Sequence, residues 1–411
     1  MELNINYQYT YFIYPYAIEI SKYKKYITSM IKNKKYCLKF FDSFKDIELY
    51  NYFSPSIKEN IFQDFSFTKE KINDFYRLSK ASQYNILAEQ NCIMFEYNLS
   101  EELQGKIEEK DGIFFKILQI QIVCFKTGIC FLLLKTNIEE TNKFSDLLDF
   151  NYKFSNINLE NKKLEKIEKI KIQTDAFSNI KELSEVISEI IGKKIENKKL
   201  DIESDMFLTH SYVCIDSKNW NKDDDFKNIE NEFIKLSSLS PSSTSINVDY
   251  EKLTMLTDSS YMKIRINNKG CFLISSSTDK DNYTRIPIAF ENQYLYTYLI
   301  ALHQRYYLKR LNKEFTNKKQ VENAIKKFID FTEKVWINEI TSESLGQKIY
   351  RRCKEKLNLE ELYQETKSKY DIFYKKAKIE KNIKQNRVII VLIILSLILG
   401  MGNFASWIFF K

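Results

Sequence analysis

The chain has 411 residues, 44% apolar and 29% charged, enough apolar material for a folded core, so extensive disorder is excluded. Eight glycines and four prolines exclude collagen-like and turn-repeat architectures. The formal charge is +8, but residues 351–387 hold 12 basic and six acidic residues, so the excess is local and implies no general nucleic-acid-binding surface.

In chain order, Tyr7–Ile20 alternates polar and aromatic residues and reads as a strand. Without a basic run before it, the N-terminus does not read as a signal peptide. Lys69–Lys80 reads as a helix and Cys92–Tyr97 as a strand. Ile113–Phe125 and Ile129–Leu134 form a hairpin around Phe125-Lys126-Thr127-Gly128. Helices follow at Glu139–Leu148, Leu159–Lys171 and Asn179–Glu196. In the last, Ile180, Leu183, Val186, Ile187 and Ile190 share one face. Phe207–Ile215, Tyr261–Ile266 and Cys271–Ser275 read as strands, the last two joined by the turn Asn267–Gly270. Ser237–Ser245 (SSLSPSSTS) reads as a loop.

No proline follows Pro287, and the rest reads as helical: Glu291–Phe315, Lys318–Trp336, Glu343–Lys356, and a long helix from Asn358. Asn358 suits an N-cap, with Glu360 and Glu361 in the first turn. Leu359, Tyr363, Thr366, Tyr370, Phe373 and Ala377 form a 4-3 seam. That stripe suits either self-association or packing on neighbouring helices of the same chain.

The sequence lacks the glycine-rich phosphate loops, the nucleophile elbow and the zinc-protease motif. Seven cysteines are scattered with no C-x-x-C pair, and read as reduced and mostly buried. His210 and His303 are the only histidines and read as structural rather than as catalytic bases. Asp223-Asp224-Asp225 reads as a solvated loop rather than a cation site, and Cys124 and Cys130 read as packing. No enzyme, no metal site and no resident cofactor are expected.

Val388–Phe410 carries no charge and reads as a transmembrane helix. Lys375, Lys376, Lys378, Lys381, Lys384 and Arg387 precede it, so the positive-inside rule keeps residues 1–387 cytoplasmic. Ser396 with Gly400, and Gly402 with Ser406, are small-x-x-x-small pairs that suit close helix packing, and Asn403 needs a polar partner. Ser396, Gly400, Met401, Gly402, Asn403 and Ser406 are therefore candidate membrane or pore residues.

The expected architecture is an α/β (α+β) cytosolic domain at 1–287, with two lobes around a loop near 237–245. A helical stalk at 288–387 and one transmembrane helix at 388–410 follow. This layout, with Gly400-Met401-Gly402-Asn403-Phe404, resembles the CorA-type membrane proteins. Gly400, Met401 and Asn403 stand for the family's Gly-Met-Asn signature, with Gly402 interposed. The resemblance extends to the CorA-like effectors of type III CRISPR defence. It implies an oligomeric membrane effector; the one apolar run and its flanking charge, not the resemblance, give a single pass of the plasma membrane with the C-terminus outside, where the family has a second transmembrane helix. A nucleotide messenger, or a divalent cation, would act on the cytosolic domain of such an effector. Membrane lipid and further copies of the chain would be its partners, without direct nucleic-acid contact. The alternative is a C-terminally anchored scaffold without channel activity.

Overall fold

Alternation along strands rich in Ile, Phe and Tyr sorts side chains to two faces, and each face recruits its own helices. The computed structural model describes residues 2–41, 44–60, 69–99, 103–107, 112–156, 170–173, 181–192, 206–245, 255–317 and 320–409, with side chains to Ile398. The strands are β1 (Ile5–Ala17), β2 (Tyr36–Leu38), β3 (Cys92–Tyr97), β4 (Leu103–Ile107), β5 (Ile113–Phe125), β6 (Ile129–Ile138), β7 (Ile170–Gln173), β8 (Lys181–Glu182), β9 (Leu208–Ile215), β10 (Leu256–Ser259), β11 (Met262–Ile266) and β12 (Gly270–Ser276). They form one 12-stranded sheet in the order β10-β11-β12-β9-β1-β6-β5-β4-β7-β8, with β3 on the β5 edge and β2 on β3. Among the described residues, β9 with β12 is the parallel pair and the other pairings are antiparallel.

The helices are α1 (Ile20–Lys32), α2 (Ile47–Tyr52), α3 (Pro55–Asn60), α4 (Lys69–Arg77), α5 (Lys80–Glu89), α6 (Phe144–Ser155), α7 (Leu183–Ile191), α8 (Phe226–Ser238), α9 (Arg285–Ala289), α10 (Leu295–Thr316), α11 (Val321–Lys334), α12 (Ser344–Lys356) and α13 (Leu359–Phe409). A π-helical turn, Phe290–Tyr294, joins α9 to α10. In β1, Tyr9, Tyr11 and Ile13 face a core shared with α2, α3 and α10–α13. Phe12, Tyr14 and Tyr16 face the opposite core, shared with α1 and α4–α8. In β6, Phe131 and Leu133 take the first side and Leu132 and Leu134 the second. The result is a mixed α/β body with a C-terminal helical region that lies on the sheet.

Both expected hairpins form. Gly128 turns β5 into β6 with φ +83°, a region that favours glycine. Asn267 Oδ1 accepts from the Lys269 and Gly270 amides (2.8 and 3.1 Å) to shape the β11–β12 turn. Other boundaries move. The helix expected over Lys69–Lys80 forms as α4 but ends at Arg77, and Ser79 Oγ caps a second helix, α5, by accepting from the Ser82 amide (3.1 Å). The helix expected at Glu139–Leu148 is displaced to α6, after Glu140 adopts φ +61°. Most of the helix expected at Leu159–Lys171 lies outside the described residues, and Ile170 and Lys171 fall in β7. Ser237 and Ser238 end α8 instead of opening a loop. Lys269 Nζ donates to the Ser238 carbonyl (2.7 Å) at that helix C-terminus. Asn358 precedes α13 as expected, but with φ +53°, so its tolerance of left-handed backbone makes the α12–α13 turn.

The expected transmembrane helix at 388–410 is corrected by the structure. Among the described residues, no helix is long and apolar enough to cross a membrane. α13 is 51 residues long, but its uncharged run with described side chains is Val388–Ile398. That run rises about 16 Å, against about 30 Å of bilayer hydrocarbon. The single-pass plasma-membrane placement, the outside C-terminus and the channel reading are withdrawn with it.

The 4-3 seam at the start of α13 packs within the chain. Tyr363 stacks on Trp336 (centroids 4.4 Å, planes 12° apart), Tyr370 lies 5.0 Å from Phe328, and Phe373 stacks on Phe315 at 6.0 Å.

Candidate functional site

The first core is interrupted by charge where β1, β5 and β6 meet the π-turn. β6 reads ICFLLLKTNI, and alternation carries Lys135 onto the same face as Phe131 and Leu133. Its ammonium donates to Glu291 Oε1 on the π-turn (2.7 Å). Tyr11 OH donates to the same oxygen (2.6 Å). Burial, then the Glu291 charge, raise the Tyr11 hydroxyl well above its ordinary pKa, so it stays a donor. Further along the sheet, Gln119 Nε2 donates to Glu96 Oε1 (2.8 Å), which also pairs with Lys39 (3.5 Å). Burial works against the charge on Lys39, but the Tyr296 hydroxyl and Glu96 outweigh it and its pKa rises.

The π-turn is held from three further points. His210 Nε2 donates to the Phe290 carbonyl (2.8 Å), and its ring stacks on Phe290 at 3.8 Å. Tyr9 OH donates to the Pro287 carbonyl (2.5 Å). Tyr52 OH and Thr297 Oγ1 share a hydrogen bond (3.0 Å) just beyond the turn. A π-turn is rare and is frequently found at a functional site.

The outer side of this turn forms one wall of an open cleft of about 600 Å³, within the range of small-molecule sites. Ala289, Gln293 and Tyr294 come from the turn and the residue before it, Glu48 and Tyr52 from α2, and Glu343 and Leu345 from the start of α12. Asp279, Asp281 and Arg285 complete the charged lining: four carboxylates against one guanidinium. Arg285 pairs with Asp281 (3.1 Å). Asp279 Oδ1 accepts from the Asp281 amide (3.0 Å) and Glu343 Oε2 from the Gly346 amide (3.1 Å). The cleft therefore keeps a negative excess beside two tyrosines, an arrangement suited to a cation.

The residues singled out in the sequence lie elsewhere. His210 and His303 are fully buried, and burial lowers both to about 3, so neither serves as a base exchanging protons with solvent near neutral pH. His303 Nε2 shares a hydrogen bond with Thr127 Oγ1 (2.8 Å), and its ring stacks on Phe125 at 3.9 Å. Asp223–Asp225 is a 3-10 turn. Backbone amides of Lys222 and Asn221 hold the Asp225 carboxyl below its usual pKa, and Lys227 pairs with Asp224 (2.9 Å). Cys124 and Cys130 face each other across β5 and β6 as buried free thiols. Among the described residues no group of three or more His, Cys, Asp or Glu side chains could hold a metal ion. Ser396 Oγ donates to the Ile393 carbonyl (2.7 Å), and the side chains of Gly400, Met401, Gly402, Asn403 and Ser406 lie outside those described.

No family model, curated protein or solved structure matches the chain. The resemblance to CorA-type proteins and to CRISPR effectors therefore has no family, relative or structural neighbour behind it. The cleft could not be read from the sequence, because Glu48, Asp279 and Glu343 are far apart in the chain.

Proposed function

We propose that the chain is a non-enzymatic ligand-responsive protein whose cleft beside the π-turn takes a small organic cation. The carrying observation is the lining itself: four carboxylates, one already paired guanidinium, and the rings of Tyr52 and Tyr294. A polyamine matches that charge and aromatic surface. An anionic nucleotide would meet net repulsion there.

The cleft has a physical route to the C-terminal helix. Glu343 both lines the cleft and caps α12, and the buried α12 residues Ile349 and Cys353 share a core with Leu359 of α13. A cation drawing on Glu343 competes with the Gly346 amide for its carboxylate. If the ligand prefers one arrangement of the α12 start, it shifts the population of that arrangement.

Titration calorimetry of the full chain with spermidine, and separately with ATP, tests the reading. Spermidine is expected to bind, and Glu48→Gln to weaken it about two- to fivefold, the size of one lost exposed charge contact. Absence of spermidine binding, or equal affinity in Glu48→Gln, would remove the proposal.

A further inference from the structure

The second half of α13 carries a seam that the body of the chain leaves uncovered. Ile372, Lys376, Ile379, Ile383, Asn386, Ile390, Ile393 and Leu397 are spaced 4-3-4-3-4-3-4. All eight are exposed. Ile372 is 64% accessible and Ile379 58%, unusual for aliphatic residues in a regular pattern; from Val388 to Ile398 the helix is apolar and exposed on every face except at Ser396, so there the seam is one stripe of a wider apolar surface. This seam is distinct from the one that packs inside the chain. Ile372 and Phe373 are neighbours in sequence, so the two stripes lie about 100° apart around the helix. The inner stripe ends at Ala377, and every described side chain after it is exposed.

We infer that this seam is a parallel, in-register coiled-coil interface with a second copy of the chain. The heptad has Lys376, Ile383, Ile390 and Leu397 at a, and Ile372, Ile379, Asn386 and Ile393 at d. Three features on that frame select a copy of the same chain. First, g Lys375 of one helix faces e Glu380 of the other, a pair that repeats by symmetry. Among the described residues, neither side chain has an ion-pair partner within its own chain. Second, Asn386 at d meets its own counterpart only in register, where the two amides can hydrogen-bond; a polar seam residue of this kind sets register at some cost in stability. Third, Lys378, Lys381 and Lys384 fall on c, f and b, the outer positions, so of the lysines in this stretch only Lys376, at a, sets like charges against each other in the seam itself. Six half-exposed aliphatic residues supply roughly 600 Å² per chain, and the flanking e and g positions bring this near the roughly 800 Å² per partner of a stable interface.

Sedimentation equilibrium of the full chain tests the inference. The wild type is expected to self-associate reversibly. Lys375→Glu and Glu380→Lys, each placing like charges across the seam, are expected to weaken association about three- to tenfold. The double variant restores opposite charges with the signs exchanged and is expected to return within about twofold of wild type. Both residues are exposed, so folding is not at stake, and circular dichroism of each variant checks this. A wild-type monomer at all concentrations, or a double variant no stronger than either single one, would overturn the interface. Spermidine binding is read separately, so failure here leaves the cleft reading standing.

Discussion

Two imidazoles show how burial changes the chemistry of a residue. His210 and His303 both lie against aromatic rings and carry one hydrogen bond each through Nε2. Native values of about 3 stand against about 6.5 in an unfolded chain. Between those limits the unfolded chain binds more protons, so stability is fully present above about 6.5 and is lost as pH falls toward 3. Denaturant unfolding at pH 7 and pH 4 should show a loss on the order of 3 kcal/mol per histidine. A His210→Gln, His303→Asn double variant should lose less between the two pH values. An equal loss in wild type and variant would show that the imidazoles do not carry the effect. The structural reading of both histidines was legible from their isolation in the sequence. The role of Glu291 was not, because its partners Lys135 and Tyr11 come from other strands.

Among the elements, turns and hairpins were the most legible, because their chemistry is local. Gly128 shows why. A Cβ at that position would collide with the Ile18 carbonyl, and φ is +83°. Gly128→Ala is expected to cost about 1–3 kcal/mol in equilibrium unfolding, from the left-handed backbone and the close carbonyl together. An unchanged midpoint would mean that the β5–β6 turn relaxes freely. Helix boundaries were less legible. Ser79 acts as a cap and Glu140 adopts positive φ, and neither choice is forced by hydrophobic spacing. The π-turn has no periodicity of its own. It forms where His210, Tyr9 and Tyr11 tie Phe290, Pro287 and Glu291 to the sheet.

At the scale of the whole molecule, the sheet divides the protein into two cores, and α13 is the element that leaves it. Its first part is held by Trp336, Phe328 and Phe315, while the described side chains beyond Ala377 contact solvent. Ending the chain after Lys378 should therefore leave thermal unfolding of the body within about 0.5 kcal/mol of the full chain, the usual range for changes at exposed positions, and should abolish self-association. A large loss of stability would mean that the distal helix packs on the body. The sequence by itself determined the mixed α/β body, the paired strands and hairpins, the helical C-terminal region and the local character of the positive charge. Each depends on neighbours within a few residues, or on a period of two or 3.6. Only the tertiary structure decided that α10–α13 cover one face of a single sheet. It also decided that the first seam of α13 is used internally, and that carboxylates from three distant parts of the chain share one cleft. Those outcomes depend on which faces meet across long separations, information that spacing along one chain does not contain.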